Sequence, residues 1–253
     1  MAADRMSAIS NGECRVFETR EQLARAAADW IVERAQQYTE RFALCLSGGT
    51  TPKRVYELLG EAPRRGLFPW RATHWFWGDE RFVPHEDPRS NFHMASEAML
   101  GDAPVPPANI HPIPTRQGSP AGEAAAYETM LKRFYGADLF DPARPLFDLT
   151  LLGLGEDGHI ASLFPGSPAL AETRHWVMPV AGPDGLDRIT LTYPALASSA
   201  FIAFLVTGER KREALSRVRA GDPALPATEL RPHGATLWFA DRAAATALAI
   251  NGV

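Results

Sequence analysis

Three residues that can exchange protons stand together in the segment FDLTLLGLGEDGHIASLFPG, residues 147–166: Glu156, Asp157 and His159. An imidazole beside carboxylates can take up and return a proton near neutral pH, because the ordinary pKa of histidine is about 6.5. The stretch 147–154 is apolar enough for a strand that is covered on both faces, as in a parallel sheet. The segment therefore predicts chemistry at the carboxyl end of a buried strand, where open α/β sheets bind ligands.

Glycines set this turn apart from the strand before it. Gly153, Gly155 and Gly158 fall close together, and they let the backbone turn sharply and lie close to a ligand. The alternative interpretation is an ordinary strand-to-helix turn in which Glu156 and Asp157 are solvated.

A second glycine-rich turn has the features of an anion site. The short apolar strand 42–46 runs into Ser47, Gly48, Gly49, Thr50, Thr51 and Pro52. Thr51 suits the N-cap and Pro52 the first position of a helix over 53–59. Free N–H groups and the helix dipole would favour phosphate there. The predicted phosphate ligands are Ser47, Gly48, Gly49, Thr50 and Thr51, and a plain strand-to-helix connection is the alternative.

Further charged residues follow the ends of other predicted strands. Asp79 and Arg81 come directly after the strand 73–77. Asp79 can act as an acid, a base or an orienting carboxylate, and Arg81 can hold a phosphate. Arg188 at a strand end and Lys211 in the first turn of a helix are candidate anion contacts. Solvated surface charges are the alternative for each of these residues.

Strands alternate with helices along the chain, which predicts a three-layer α/β/α sheet. We find no repeat or clear linker, so we expect one domain over residues 1–253. Asp241 is expected to cap the last helix, and Ile160–Leu163 to begin a helix that Pro165 stops. The remaining predicted elements are helices over 21–38, 91–100 and 121–135, a helix that starts within 207–211 and runs to 219, and strands over 188–192, 201–206 and 235–239.

Composition narrows the function classes. The 253 residues are 45% hydrophobic and 22% charged, as in ordinary globular proteins, and the formal net charge is −4. An acidic balance argues against nucleic acid or an anionic membrane as partner, but a local basic pocket can still bind a small anion. Cys14 and Cys45 make no disulfide or metal pattern, and we expect Cys45 in the core. Neither a signal peptide nor a membrane span is expected, which favours a cytoplasmic protein.

Several segments occur together in an order that resembles 6-phosphogluconolactonases: SGGTTP at 47–52, GDERFVP at 78–84 with Ser90-Asn91, GLGEDGHIASLFPG at 153–166 and RITLT at 188–192. VTGERK with Lys211 and the ending RPHGATLWFAD look similar too. The resemblance covers about residues 16–241. It implies the modified Rossmann-like, mostly parallel fold shared with glucosamine-6-phosphate deaminases and ribose-5-phosphate isomerases. It also implies hydrolysis of 6-phospho-D-glucono-1,5-lactone to 6-phosphogluconate, the second step of the oxidative pentose phosphate pathway.

The resemblance lets us assign expected roles. His159 would be the general base, oriented by Asp157 or Asp79, while loop N–H groups or Arg81 offset charge on the carbonyl oxygen. The turn at 48–51, Arg188 and Lys211 would hold the phosphate. We expect no metal, no cofactor and a monomer. The chain departs from the family at Thr50, at Ala197 where asparagine is frequent, and over 181–187, which lack a lysine.

Two other functions are compatible with parts of the pattern. A glucosamine-6-phosphate deaminase would share the fold, the SGG turn and the Gly-x-Asp-Gly-His segment, but no acid lies between His159 and Pro165 to serve that chemistry. A sugar-phosphate-sensing domain of a transcriptional regulator would need a DNA-binding helix-turn-helix of about sixty residues ahead of the sensor.

Overall fold

The computed structural model describes residues 10, 12–116 and 118–246. Its strands are β1 (Glu13–Phe17), β2 (Phe42–Leu46), β3 (Thr73–Trp77), β4 (Asp79–Arg81), β5 (Ile110–His111), β6 (Phe147–Leu152), β7 (Val177–Ala181), β8 (Asp187–Leu191), β9 (Ser199–Val206) and β10 (Ala235–Asp241). Its α-helices are α1 (Arg20–Ala35), α2 (Thr50–Gly60), α3 (Arg64–Leu67), α4 (Asn91–Ala95), α5 (Pro120–Tyr135), α6 (Tyr193–Ala197), α7 (Arg212–Arg219), α8 (Pro226–Glu229) and α9 (Arg242–Ala245). A π-helical turn, Ser96–Leu100, and 3-10 turns at Pro107–Asn109, Pro168–Ala171 and Glu209–Lys211 complete the described helices.

The main sheet has seven strands in the order β1-β10-β9-β6-β2-β3-β5, and its neighbouring strands all pair in parallel. Helices pack against the sheet, with α1 lying against both α2 and β10. The predicted mostly parallel α/β architecture is therefore confirmed. Since parallel strands end at the same edge, the turns after β2, β3, β6 and β9 come together there.

The chain path opens a crevice in the middle of this edge. From β2 the chain crosses to β3 on one side, whereas from β6 it crosses to β9 on the other side. β2 and β6 are neighbours, so the segments that leave them diverge. This is the topological switch point at which open α/β sheets bind ligands.

A smaller antiparallel sheet, β4-β8-β7, was not predicted. Gly78 joins it to the main sheet: its N–H donates to the Leu46 carbonyl and its own carbonyl accepts from the Leu191 N–H. β4 has only three residues, too few to show a strand pattern in the sequence. The small sheet places Asp79 and Arg81 opposite Thr190 and Arg188.

Capping side chains mark the start of several helices. α1 begins one residue before its predicted start and ends at Ala35, and the Thr19 hydroxyl caps it by accepting from the Gln22 N–H at 3.2 Å. Ser90 caps α4 in the same way. Asp241 caps α9, as predicted. Each of these side chains accepts a hydrogen bond from an N–H group of the first turn.

Two local predictions are wrong. α2 begins at Thr50, so its N-cap is Gly49, at φ 105°, rather than Thr51. Glycine adopts that conformation without a Cβ penalty and leaves the N–H groups of the turn uncovered. Ile160–Leu163 is a tight turn instead of a helix, because Ala161 has φ 47° and so breaks the right-handed path.

The core lies on both faces of the main sheet. β2 is buried along its whole length and β6 at every residue except Asp148, as the apolar runs predicted. Cys45 is fully buried, and its burial raises the pKa of the thiol. The sequence analysis left out all four edge strands, which are β1 and β5 in the main sheet and β4 and β7 in the small sheet.

Candidate active site

A cavity of about 480 Å³ lies at the switch point. Its walls come from the turns after β2, β3, β6 and β9 and from β4 and β8. Of the predicted site residues, the structure brings ten together in its lining: Ser47, Gly48, Gly49, Thr50, Thr51, Asp79, Arg81, His159, Arg188 and Lys211. Asp157 does not line the cavity but contacts His159.

The turn after β2 presents unused N–H groups at the start of α2. Within the described chain, no acceptor is found for the backbone N–H groups of residues 48–51. The phenol of Tyr56 holds the turn, accepting from the Ser47 N–H at 2.9 Å and donating to the Ser47 carbonyl at 2.8 Å. The Thr51 and Thr207 hydroxyls lie 2.7 Å apart. Tyr56 thus fixes the turn at the start of this eleven-residue helix, while the N–H groups of residues 48–51 remain available to donate, so the helix N-terminus is suited to bind a phosphate.

His159 pairs with Asp157 in the turn after β6. Nδ1 of His159 lies 2.6 Å from Oδ1 of Asp157, which also accepts from the His159 N–H at 3.2 Å. Partial burial raises the pKa of Asp157, but the hydrogen bonds from His159 outweigh this effect, so the pKa is lower than usual. An ionised Asp157 fixes the proton on Nδ1 and leaves the lone pair of Nε2 free.

Two neighbours restrict the imidazole further. A Cβ at Gly155 would lie 2.1 Å from Nδ1 of His159, so only glycine allows the ring its place. The Phe164 ring also packs against the imidazole, with centroids 4.7 Å apart. Backbone and an aromatic side chain therefore both limit the position of the imidazole.

Asp79 contacts Ser162 and Asn91, whereas the sequence analysis had left it open as a partner of His159. Its Oδ2 accepts from the Ser162 hydroxyl at 2.6 Å, and its backbone carbonyl accepts from the Asn91 amide at 2.9 Å. Of the two candidate aspartates, it is Asp157 that contacts the imidazole. Asp79 is 7% exposed and faces the cavity as an acceptor.

Two guanidinium groups face the cavity from paired strands. Arg81 and Arg188 are directly opposite in the β4–β8 register. Like charges in that position repel, and each arginine also has a buried Nε for which the described residues provide no hydrogen-bond partner. Arg188 forms an ion pair with Asp184 at 2.6 Å, and Arg81 donates to the Arg89 carbonyl. A bound anion would satisfy the free Nε groups and relieve the repulsion.

Lys211 adds a further positive charge. No carboxylate of the described chain lies within ion-pair distance of its ammonium group, and burial lowers its pKa, against the opposing effect of Glu156. Asp241 fixes the loop that carries Lys211, since both of its carboxylate oxygens accept from the Gly208 N–H at 3.0 Å. The basic groups thus lie on turns that the fold holds in place.

The sequence profile described as glucosamine-6-phosphate isomerases/6-phosphogluconolactonase matches residues 18–238. The chain belongs to this family. It is 41% identical to a 6-phosphogluconolactonase of Nostoc sp. over 83% of this chain and 86% of that protein. A solved 6-phosphogluconolactonase from Trypanosoma cruzi superposes with a TM-score of 0.83 and 29% identity, covering 94% and 97% of the two chains. A monomeric glucosamine-6-phosphate deaminase shares the fold at a TM-score of 0.78 and 22% identity, over 93% and 99%.

Sequence reasoning missed several residues that line the cavity: Arg20, Asn91, Ala161, Thr207 and Arg210. Asn91 was given as the start of a helix and as part of the resembling segments but without a role in the site, and Arg20 begins α1, well before the other motifs in the chain. The family departure at Ala197 falls on a buried residue at the end of α6, outside the cavity lining. Ala181–Asp187 forms the β7–β8 turn and contributes Asp184, the partner of Arg188.

The structure shows two further properties of the described residues. No three histidine, cysteine, aspartate or glutamate residues among them lie close enough to hold a metal ion. No helix among them is long and apolar enough to cross a membrane.

Proposed function

We propose that this protein hydrolyses 6-phospho-D-glucono-1,5-lactone to 6-phosphogluconate, the second step of the oxidative pentose phosphate pathway. The observation that carries the proposal is that His159, oriented by Asp157, and the uncovered turn at 48–51 line one cavity. A six-carbon lactone phosphate can therefore present its carbonyl to the imidazole while its phosphate occupies the turn. The names of the family members at 41% identity and at TM-score 0.83 support the same reaction.

The reaction starts with a water molecule beside His159. Nε2 of His159 takes a proton from water as the water oxygen forms a bond to C1 of the lactone. Asp157 stabilises the resulting imidazolium through the hydrogen bond at Nδ1. N–H groups of the glycine-rich loop or the Arg81 guanidinium offset the charge that develops on the carbonyl oxygen.

Collapse of the tetrahedral intermediate opens the ring. The bond between C1 and the ring oxygen breaks, and the imidazolium returns its proton to that oxygen. The products are a hydroxyl at C5 and a carboxylic acid at C1, which ionises in water. Neither step changes an oxidation state, and His159 carries both proton transfers, so we propose that the reaction needs neither a redox cofactor nor a metal.

The phosphate holds the substrate for this chemistry. The N–H groups of residues 48–51 donate to its oxygens, and Arg188 and Lys211 balance its charge. Binding energy from this remote group fixes C1 against the water. Asp79 accepts a hydrogen bond from a hydroxyl of the sugar.

Within the cell we propose a single-domain monomer in the cytoplasm that binds neither nucleic acid nor membrane. The net charge of −4 supports the part of this proposal that excludes nucleic acid and an anionic membrane as partners. Size-exclusion chromatography with light scattering tests the monomer. A dimer at micromolar concentration would contradict it.

The test of the reaction is the variant His159→Ala. We expect the rate of lactone hydrolysis above the spontaneous rate to fall by about 10²-fold or more, because general base catalysis contributes on that order. Binding of 6-phosphogluconate should change little, since the phosphate turn is intact. The early rate must be followed on freshly generated lactone, which also opens unaided.

His175→Asn provides a matched control. His175 is exposed and lies outside the cavity lining, so this variant should keep the wild-type rate. A wild-type rate in His159→Ala would refute the base assignment. Ammonia release from glucosamine 6-phosphate by the wild-type protein would instead favour the deaminase.

A further inference from the structure

Ser162 is a buried residue that the reaction steps above leave without a role. It is fully buried, and it lies three residues after His159 in the same turn. Its hydroxyl donates to Oδ2 of Asp79 at 2.6 Å, a short distance that is typical of an O–H donor on a carboxylate. Its N–H donates to the Thr190 hydroxyl at 3.2 Å, and Thr190 is the register partner of Asp79.

The backbone conformation that delivers Ser162 is unusual. Ala161 has φ 47°, and it is the non-glycine residue with positive φ in the described chain. Residues with a Cβ adopt this conformation only where the surrounding structure requires it, and such sites cluster in functional regions. Here the turn at Ala161 directs Ser162 inward, under Asp79, while Ala161 itself lines the cavity.

The contact leaves part of the Asp79 carboxylate free. A carboxylate has about four acceptor positions on its two oxygens. Ser162 uses one on Oδ2, and the Asn91 amide lies 3.4 Å from Oδ1. The remaining acceptor positions face the cavity and can accept a hydrogen bond from a donor such as a sugar hydroxyl. Ser162 therefore fixes the rotation of this carboxylate, and so the direction of its free lone pairs.

We infer that Ser162 is a positioning residue, which sets the Asp79 carboxylate to accept a hydrogen bond from a ring hydroxyl of the sugar substrate. It acts through Asp79 and does not itself touch the substrate. Because Ser162 and His159 share one turn, the same segment places the reacting imidazole and the hydroxyl acceptor. The inference rests on the proposed function.

The variant Ser162→Ala removes the hydroxyl and adds no volume. It is tested with freshly generated 6-phosphogluconolactone and with its 2-deoxy, 3-deoxy and 4-deoxy analogues. We expect kcat/KM for the full substrate to fall about tenfold, as for loss of one hydrogen bond to a charged group. For the analogue that lacks the hydroxyl bound by Asp79, the same variant should lose less than about twofold, because the interaction is already gone.

Ser199→Ala is the matched control. Ser199 is also fully buried and its hydroxyl is also bonded, to Leu196 and Thr150, but it lies at the other end of β9, away from the cavity. Any effect of this variant should be equal for all four lactones. Melting temperatures of both variants report the purely structural cost of losing a buried hydroxyl.

The outcomes distinguish a failure of the inference on Ser162 from a failure of the proposed function. An equal loss for Ser162→Ala on all four lactones would show a structural role and overturn the inference, as would an unchanged kcat/KM for the full substrate. A wild-type protein that does not accelerate lactone opening would refute the proposed function, and the inference would fall with it.

Discussion

At the scale of residues, the sequence named the chemical groups of the site but could not choose among them. His159 and the two candidate aspartates were predicted from their place after strands. Which aspartate serves the imidazole depends on where the β4–β8 pairing puts Asp79, and no local pattern shows that pairing. Asp157 is two residues from its partner, so a short loop alone brings it to 2.6 Å.

We predict that Asp157→Asn lowers kcat by about 10²-fold or more and leaves KM nearly unchanged. The amide has nearly the shape of the carboxylate but cannot balance an imidazolium, whereas the phosphate turn is untouched. Initial rates over a range of lactone concentrations measure both constants. Asp29→Asn, which alters an exposed aspartate paired with Arg64, is the control. A rise in KM alone would mean that Asp157 serves binding instead.

At the scale of elements, the long apolar segments were predictable and the irregular ones were not. β2, β3, β6 and β9 followed from apolar runs, and α1 and α5 from helical spacing or composition. The start of α2 and the turn at 160–163 were wrong because both depend on positive φ values, at Gly49 and Ala161. Such single-residue conformations leave no periodic signal in the sequence.

One glycine gives a prediction at this scale. In Gly155→Ala the new Cβ would lie 2.1 Å from Nδ1 of His159 and 2.4 Å from Oδ1 of Asp157, so both groups must leave their present positions. We expect kcat to fall by about 10²-fold or more, with circular dichroism like that of the wild type. The loop moves locally, while the sheet is untouched.

Gly66→Ala serves as the comparison for that variant. A Cβ at Gly66, in α3, would meet no atom of the described residues within 4 Å, so the activity of Gly66→Ala should equal that of the wild type. If Gly155→Ala were as active as Gly66→Ala, the contact between His159 and Asp157 would not matter for the reaction.

At the scale of the whole molecule, stability depends on pH through a pair of histidines far along the sheet from the cavity. Nδ1 of His74 on β3 lies 3.0 Å from Nε2 of His111 on β5, and the rings pack among Phe76 and Phe134. Burial, and to a lesser extent His74, lowers the pKa of His111 to about 4. Burial and then Arg41 lower the pKa of His74.

The unfolded chain therefore binds protons at these histidines at a higher pH than the folded protein does. We predict that the free energy of unfolding falls as the pH decreases from about 6.5 to about 4, because protonation favours the unfolded state in that window. Urea unfolding at a series of pH values measures this dependence. In His111→Phe the decline should be smaller, whereas in His233→Asn, which alters an exposed histidine, it should match the wild type. Equal slopes in all three proteins would contradict the assignment.

The cavity lies at the edge of the main sheet where the parallel strands end, and the edge where they begin is on the opposite side of the sheet. The segment before β6, which includes Leu139 at 82% exposure, lies at the edge where the strands begin, opposite the cavity. A surface linker attached there would orient every copy with its substrate entrance toward the solution. Immobilised in that way, a layer of this protein should turn over sugar lactones as fast as the free molecule.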